Sequence, residues 1–131
     1  MASSRELMLE EAKKWLGVHY KSGGDSAAGI DCSHLVARII RKIDPGYQYK
    51  TVSAIRKSSE FLTLPDSTAQ PKAGDFISWS SPGHVVIITN PTTGEFLGAQ
   101  SSGVGTSNYL SNPYWKDRPG RVFLRYHKVA D

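Results

Sequence analysis

Two helical stripes and a set of short alternating segments account for most apolar positions in the chain. Met8, Leu9, Ala12, Trp15 and Leu16 recur at three- and four-residue spacing and predict one buried helix face. Ser3 followed by Glu6 is a capping-box signature for the start of that helix, and Gly17 is its natural stop. A second stripe, Leu35, Val36, Ile39, Ile40 and Ile43, predicts a helix from about Asp31 to about Ile43, closed by Asp44-Pro45-Gly46. Arg38, Arg41 and Lys42 fall on its solvent side. A third, shorter helix is expected from about Thr51 to Phe61.

After Ala73-Gly74 the period changes from helical to strand-like. Strands are expected at Asp75 to Trp79, His84 to Thr89, Glu95 to Gln100 and Arg121 to His127, with turns at Pro82-Gly83 and from Asn90 to Gly94. Pro65 to Pro71 reads as loop. The stretch from Ser101 to Gly120 is rich in Ser, Gly, Asn and Pro and is expected to be an ordered surface loop. Helices first, then consecutive strands joined by short turns, predict an α+β domain over 1–131 with a central antiparallel sheet.

Composition narrows the partners more than the fold. The 131 residues are 39% hydrophobic and 21% charged, ordinary for a soluble domain with a modest core. The net charge of +4 is spread along the chain rather than gathered in a stripe. A nucleic-acid partner is therefore not expected. A diffuse basic surface serves plain solubility or attraction to an acidic polymer such as cell wall. No apolar run is long enough to span a membrane, and none near the N-terminus resembles a signal peptide. Action outside the cytoplasm would then need a removed export segment or delivery by another machine.

The chain has one cysteine, Cys32. It has no intramolecular disulfide partner, which leaves a small core residue or a nucleophile. Its place at the start of the second helix favours the nucleophile: unpaired amides and the positive end of the helix dipole stabilise a thiolate and are expected to lower the thiol pKa. A nucleophilic thiol needs a base. His84 opens the apolar strand Val85-Val86-Ile87-Ile88, where the sheet would hold it rigidly; otherwise it is a turn histidine of no consequence. His19 and His34 are near in sequence but point elsewhere, and His127 is expected to be exposed. A third group usually fixes the tautomer of the base. Phe96, Gly98 and Gln100 share one face of the next strand, and of these only Gln100 is polar; the alternative for it is a solvated strand end. Asp31 either caps the cysteine helix or binds a cationic amine of a substrate. Ser33 either joins it on that amine or fills a first-turn position. Tyr20 is either a core aromatic or a phenol over the thiolate, and the backbone N–H of Cys32 is a natural oxyanion donor.

Taken in order, Trp15-Leu16-Gly17-Val18-His19-Tyr20, Gly23-Gly24, Asp31-Cys32-Ser33, Ala73-Gly74-Asp75-Phe76-Ile77, Gly83-His84-Val85-Val86-Ile87 and Phe96-Leu97-Gly98-Ala99 resemble the NlpC/P60 family of papain-like cysteine peptidases. The resemblance covers almost the whole chain. It implies a central antiparallel sheet with the cysteine helix packed on it, and hydrolysis of peptidoglycan stem peptides, commonly between D-Glu and the following diamino acid. By the same resemblance Cys32 is the nucleophile, His84 the base, and Tyr20 a residue lining the oxyanion region. Asp31 and Ser33 then recognise the free amine of the stem peptide.

No metal or organic cofactor is implied. The expected partner is the stem peptide, met by a monomer in the periplasm or cell wall. An antibacterial effector would also have an immunity protein that plugs the cleft. A phage enzyme and a fragment of a larger hydrolase fit equally well. Rival readings are a CHAP-like amidase or acyltransferase and a silent wall-binding module on the same fold. Two departures stand out. The family usually has glycine where this chain has His34. It usually has histidine where this chain has Gly98, a place Gln100 could fill from two residues on.

Overall fold

The computed structural model describes residues 3–65, 70–80 and 83–130. Helix α1 spans Ser4–Lys14, with the Ser3 hydroxyl accepting from the Glu6 amide as N-cap. Met8 and Ala12 are buried, and Leu9 and Trp15 pack against the core. Leu16 does not join them and is 47% exposed. The helix has already closed at its cap Trp15, so the stripe ends one residue sooner than the spacing predicts. Gly17, at φ 87°, turns the chain away and donates to the Val104 carbonyl.

A two-residue hairpin follows, β1 (Asp25–Ser26) and β2 (Gly29–Ile30). It is tight enough that a Cβ on Gly24 would lie 2.5 Å from the Gly29 carbonyl oxygen. Helix α2 then runs Cys32–Ile40, with Asp31 as N-cap. It is shorter than the stripe to Ile43 suggested. Beyond Arg41 the amides of Lys42 and Ile43 bond three residues back, a tightened final turn that still seats Ile43 against the core.

Helix α3 covers only Val52–Lys57, capped by Thr51. The expected extension to Phe61 is replaced by a strand, β3 (Phe61–Leu64). Long-range pairing overrides helical spacing here: Phe61 pairs with Tyr126 and its ring meets Phe76 and Tyr126.

Strands β4 (Phe76–Ser80), β5 (Gly83–Asn90), β6 (Glu95–Gln100), β7 (Gly103–Asn108) and β8 (Val122–Tyr126) complete a six-stranded antiparallel sheet in the order β3-β8-β4-β5-β6-β7. The mixed α+β architecture is the one expected. Pro82, half of the expected turn before β5, lies outside the described residues, as does most of the loop before Pro71. The segment read as loop contains β7 and a one-turn helix α4 (Pro113–Lys116). Strand β7 is two glycines in a run of small polar residues, with little intrinsic strand preference, and it is held by a full register against β6. Helix α4 carries its own signal, an Asn112 cap followed by Pro113 at the first position.

The sheet separates two cores. α1 and α2 cover one face, where Leu35, Ile39 and Ile40 meet Phe76, Val85, Ile87 and Leu97. The other face holds a smaller aromatic cluster of Trp79, Phe96, Tyr109, Trp115 and Phe123. Strand β5 is buried on both faces, which explains its unbroken apolar run.

Asp75, fully buried at the entry to β4, fastens the layers. Its carboxylate accepts from Arg5 of α1 at 2.9 Å, from Arg125 of β8 at 3.0 and 2.8 Å, and from the Lys72 amide at 2.8 Å. Asp75→Asn leaves two guanidinium charges facing a neutral amide. It is expected to lower unfolding free energy by about 3 kcal/mol, measured by urea denaturation.

Candidate functional site

Strands β5 and β6 pair from Ile87↔Leu97 to Asn90↔Glu95, and beyond that register Val86 still lies against Gly98, where a Cβ would be 2.5 Å from its side chain. Cys32, the first residue of α2, belongs to the core on the helix side of the sheet, and the backbone amides of Val85, Ser33 and Cys32 itself act to lower its thiol pKa. His84 is the residue immediately before Val85, and its ring packs against Trp79 and Trp115 of the other cluster. No hydrogen bond joins the thiol and the imidazole among the described residues.

The electrostatics differ from the expectation. Burial raises the thiol pKa, the Asp31 carboxylate adds to it, and the three amides only partly offset the rise. Cys32 is 8% exposed, and loss of water outweighs the helix-terminus effect that the sequence reading relied on. His84 shifts the other way. Burial, then the Arg118 guanidinium, push it down to about 4, opposed by the side chain of Gln100. Its ring packs near-parallel against Trp79 and Trp115, at centroid distances of 6.1 and 5.3 Å, the two tryptophans themselves being 4.9 Å apart, and its Nε2 makes no hydrogen bond. Both shifts favour the uncharged pair, thiol and imidazole, at neutral pH.

Gln100 is at the end of β6. Its Nε2 donates to the Gly105 carbonyl at 3.2 Å, and its Oε1 is buried without a hydrogen bond. The side chain folds back over Gly98: a Cβ there would lie 2.7 Å from Gln100 Oε1 and 2.5 Å from Val86. Gly98 thus makes room for the amide beside His84. Gly105, its cross-strand partner, leaves the neighbouring position equally bare.

Tyr20, 42% exposed, has its hydroxyl pKa raised by burial, then by Cys32 and Asp31, which places the phenol near both. It shares a cavity of about 370 Å³ with His84, Ala99, Gln100, Trp115 and Arg118. Trp115 and Arg118 were not singled out from sequence. The Asn112-Pro113 helix start was the available signal, but nothing local tells that α4 folds back over β5. A larger cavity of about 460 Å³, between Pro91, Tyr109 and Phe123, opens at the opposite end of β5 and holds none of the candidate residues.

Asp31 caps α2 through the His34 amide at 2.9 Å, and the same oxygen meets His34 Nδ1 at 2.8 Å. Burial opposes ionisation, yet the His34 and Gly23 bonds hold the carboxyl below its ordinary value. Ser33 is buried and bonds both Asp31 and Tyr49. His19 and His127 are exposed, His127 lying 3.8 Å from Glu60. Among the described residues no group of His, Cys, Asp and Glu side chains is arranged to hold a metal ion, and no helix is long and apolar enough to cross a membrane.

The chain is similar to known proteins in sequence and in fold. The NlpC/P60 family pattern matches residues 17–123. The chain is 30% identical over 115 residues to the probable peptidoglycan endopeptidase LytE of Bacillus subtilis (strain 168), covering 85% of this chain and 31% of that protein. It is 31% identical over 125 residues to the murein DD-endopeptidase MepS/murein LD-carboxypeptidase of Escherichia coli (strain K12), covering 85% of this chain and 57% of the other. The chain thus spans about a third and somewhat over half of these two relatives. The crystal structure of the peptidoglycan hydrolase RipB from Mycobacterium tuberculosis superposes with a TM-score of 0.72 at 22% identity, over 98% of this chain and 66% of that one, which shows the shared fold.

A raised thiol beside a lowered imidazole gives a definite pH signature. Alkylation of Cys32 by iodoacetamide is expected to rise about tenfold per pH unit from pH 6 to pH 8, without a plateau. A plateau near neutrality would reveal a preformed thiolate–imidazolium pair instead.

Proposed function

Since the chain belongs to the NlpC/P60 family, we propose that it is a cysteine hydrolase of peptidoglycan stem peptides, cutting the amide bond between D-Glu and the following diamino acid. The observation that carries this reading is Tyr20, whose hydroxyl feels the charge of Cys32 and Asp31 while it lines one cavity of about 370 Å³ with His84 and Gln100. The peptidase names of its relatives support it.

In this mechanism the resting pair is neutral. His84 takes the thiol proton as sulfur bonds to the amide carbonyl carbon, acting as general base. The Cys32 amide and the Tyr20 hydroxyl receive the developing oxyanion. His84 then gives its proton to the leaving amine as the C–N bond breaks. Water, deprotonated by His84, opens the thioester and restores the thiol. Packing against Trp79 and Trp115 fixes the plane of the ring, and Gln100 sets its orientation in the role the family gives to a third polar residue. Asp31 and Ser33 form the wall of the subsite on the amino side of the substrate. Arg118 disfavours an imidazolium and so keeps the base unprotonated before attack.

A silent wall-binding module is the second reading, favoured by Gly98 standing where the family usually has histidine. Cys32→Ala separates the two. It is expected to leave a folded protein that releases no soluble fragments from purified peptidoglycan, whereas the native protein releases them. Mass spectrometry of those fragments identifies the bond and distinguishes a CHAP-like amidase. Toxicity on periplasmic but not cytoplasmic expression is the outcome expected of a wall-directed effector, the setting in which an immunity protein would be sought.

Gln100→Ala is expected to lower kcat/KM about tenfold, roughly 1.4 kcal/mol in the barrier. Gly98→Ala should give a similar loss, because its Cβ expels the same amide. The double variant should be little worse than either single one, the mark of two changes acting through one contact.

A further inference from the structure

The mechanism gives Arg118 an effect on His84 but no contact with substrate, although Arg118 lines the cleft. We propose that Arg118 anchors a carboxylate on the leaving side of the cut. The subsite beyond His84 then fits a diamino residue whose α-carboxyl is free, rather than one bonded onward through an amide. This rests on the hydrolase reading above and refines its substrate class.

The charge of the cleft favours an anion. Among the described residues, no Asp or Glu lines the cavity of about 370 Å³ that holds His84 and Gln100. Arg118 is its one cation near neutral pH, since His84 is pushed down to about 4. Asp117, the preceding residue, is exposed and stands outside the lining. The Arg118 guanidinium is held by rings: its carbon lies 5.1 Å from the Trp115 centroid and 5.6 Å from those of Trp79 and Tyr114. Such contacts fix the position of the charge through its face. A guanidinium donates in its own plane, from a fork of N–H groups that matches the two oxygens of a carboxylate.

The place of that charge points to the leaving side. His84 hands its proton to the departing amine, so that nitrogen sits against the imidazole. The α-carboxyl carbon of the same residue is two bonds further on, about 2.5 Å from the nitrogen. Arg118 is the cation whose charge acts on that imidazole, and it shares the cavity with it. Asp31 and Ser33, assigned to the other side of the cut, are not part of this lining. A free carboxylate here gains a charge-assisted, two-point partner. An amide in its place offers one neutral oxygen and turns an N–H toward a cation.

The test uses L-Ala-γ-D-Glu-L-Lys with a free C-terminal carboxylate and the same peptide as its C-terminal amide. Each is titrated calorimetrically against the Cys32→Ala protein, which binds without turnover. The free acid is expected to bind about tenfold more tightly than the amide. Adding Arg118→Gln is expected to bring the two within about twofold, by weakening the acid alone. Arg118→Lys keeps the charge without the fork and should reduce the preference to about threefold. It serves if Arg118→Gln disturbs folding by circular dichroism. Equal affinities in the Cys32→Ala protein, or a preference undiminished by the substitution, overturn the inference. The hydrolase reading then still stands if the native protein releases fragments from purified peptidoglycan. Binding of neither peptide overturns the inference as well, and, joined to no release of fragments, overturns the hydrolase reading with it.

Discussion

One contact, the first turn of α2 against β5, sets the position of Cys32: the cysteine shares a core with Val85 and Ile87, and the Val85 amide works against the rise in thiol pKa that this burial causes. The rest of the fold makes that contact reproducible. β5 lies between β4 and β6 and is buried on both faces. α2 is pressed onto it by Leu35, Ile39 and Ile40. Asp75 locks α1 and β8 to the entry of the neighbouring strand.

The same burial that positions the pair also discharges it. Water is withdrawn from thiol and imidazole alike, one pKa moves up and the other down, and Arg118 reinforces the second shift. A neutral thiol of this kind reacts slowly with passing electrophiles. On the proposed mechanism, a bound carbonyl is what gives the departing proton and the developing charge somewhere to go. The aromatic walls around His84 contribute rigidity, leaving Gln100 as the polar neighbour able to steer the ring.

Much of this was legible beforehand. The stripes for α1 and α2, the Ser3 and Asp31 caps and four of the strands follow from period and punctuation, because local preference and tertiary contact agree there. The failures have physical causes. Phe61 has helical spacing but is claimed by β8. β7 has almost no preference of its own and borrows its conformation from β6. In the site, Cys32, His84 and Gln100 were visible as residue types at meaningful positions. The direction of the thiol shift was not, since a helix terminus can be read from sequence while the depth of a sulfur cannot. Nor were Trp115 and Arg118: the Asn112-Pro113 start marks a helix, but nothing local tells that its residues come to lie beside His84.

The bare backbone at Gly98 constrains how such a site can change over generations. A bulky side chain at that position collides with the amide of Gln100 and with Val86. Removing Gln100 first leaves the imaginary newcomer's place empty and the imidazole without its polar neighbour. If Gln100 orients His84 as proposed, either order passes through an intermediate of lower activity, so the two layouts, histidine on one residue or glutamine on the next but one, are not joined by single neutral steps.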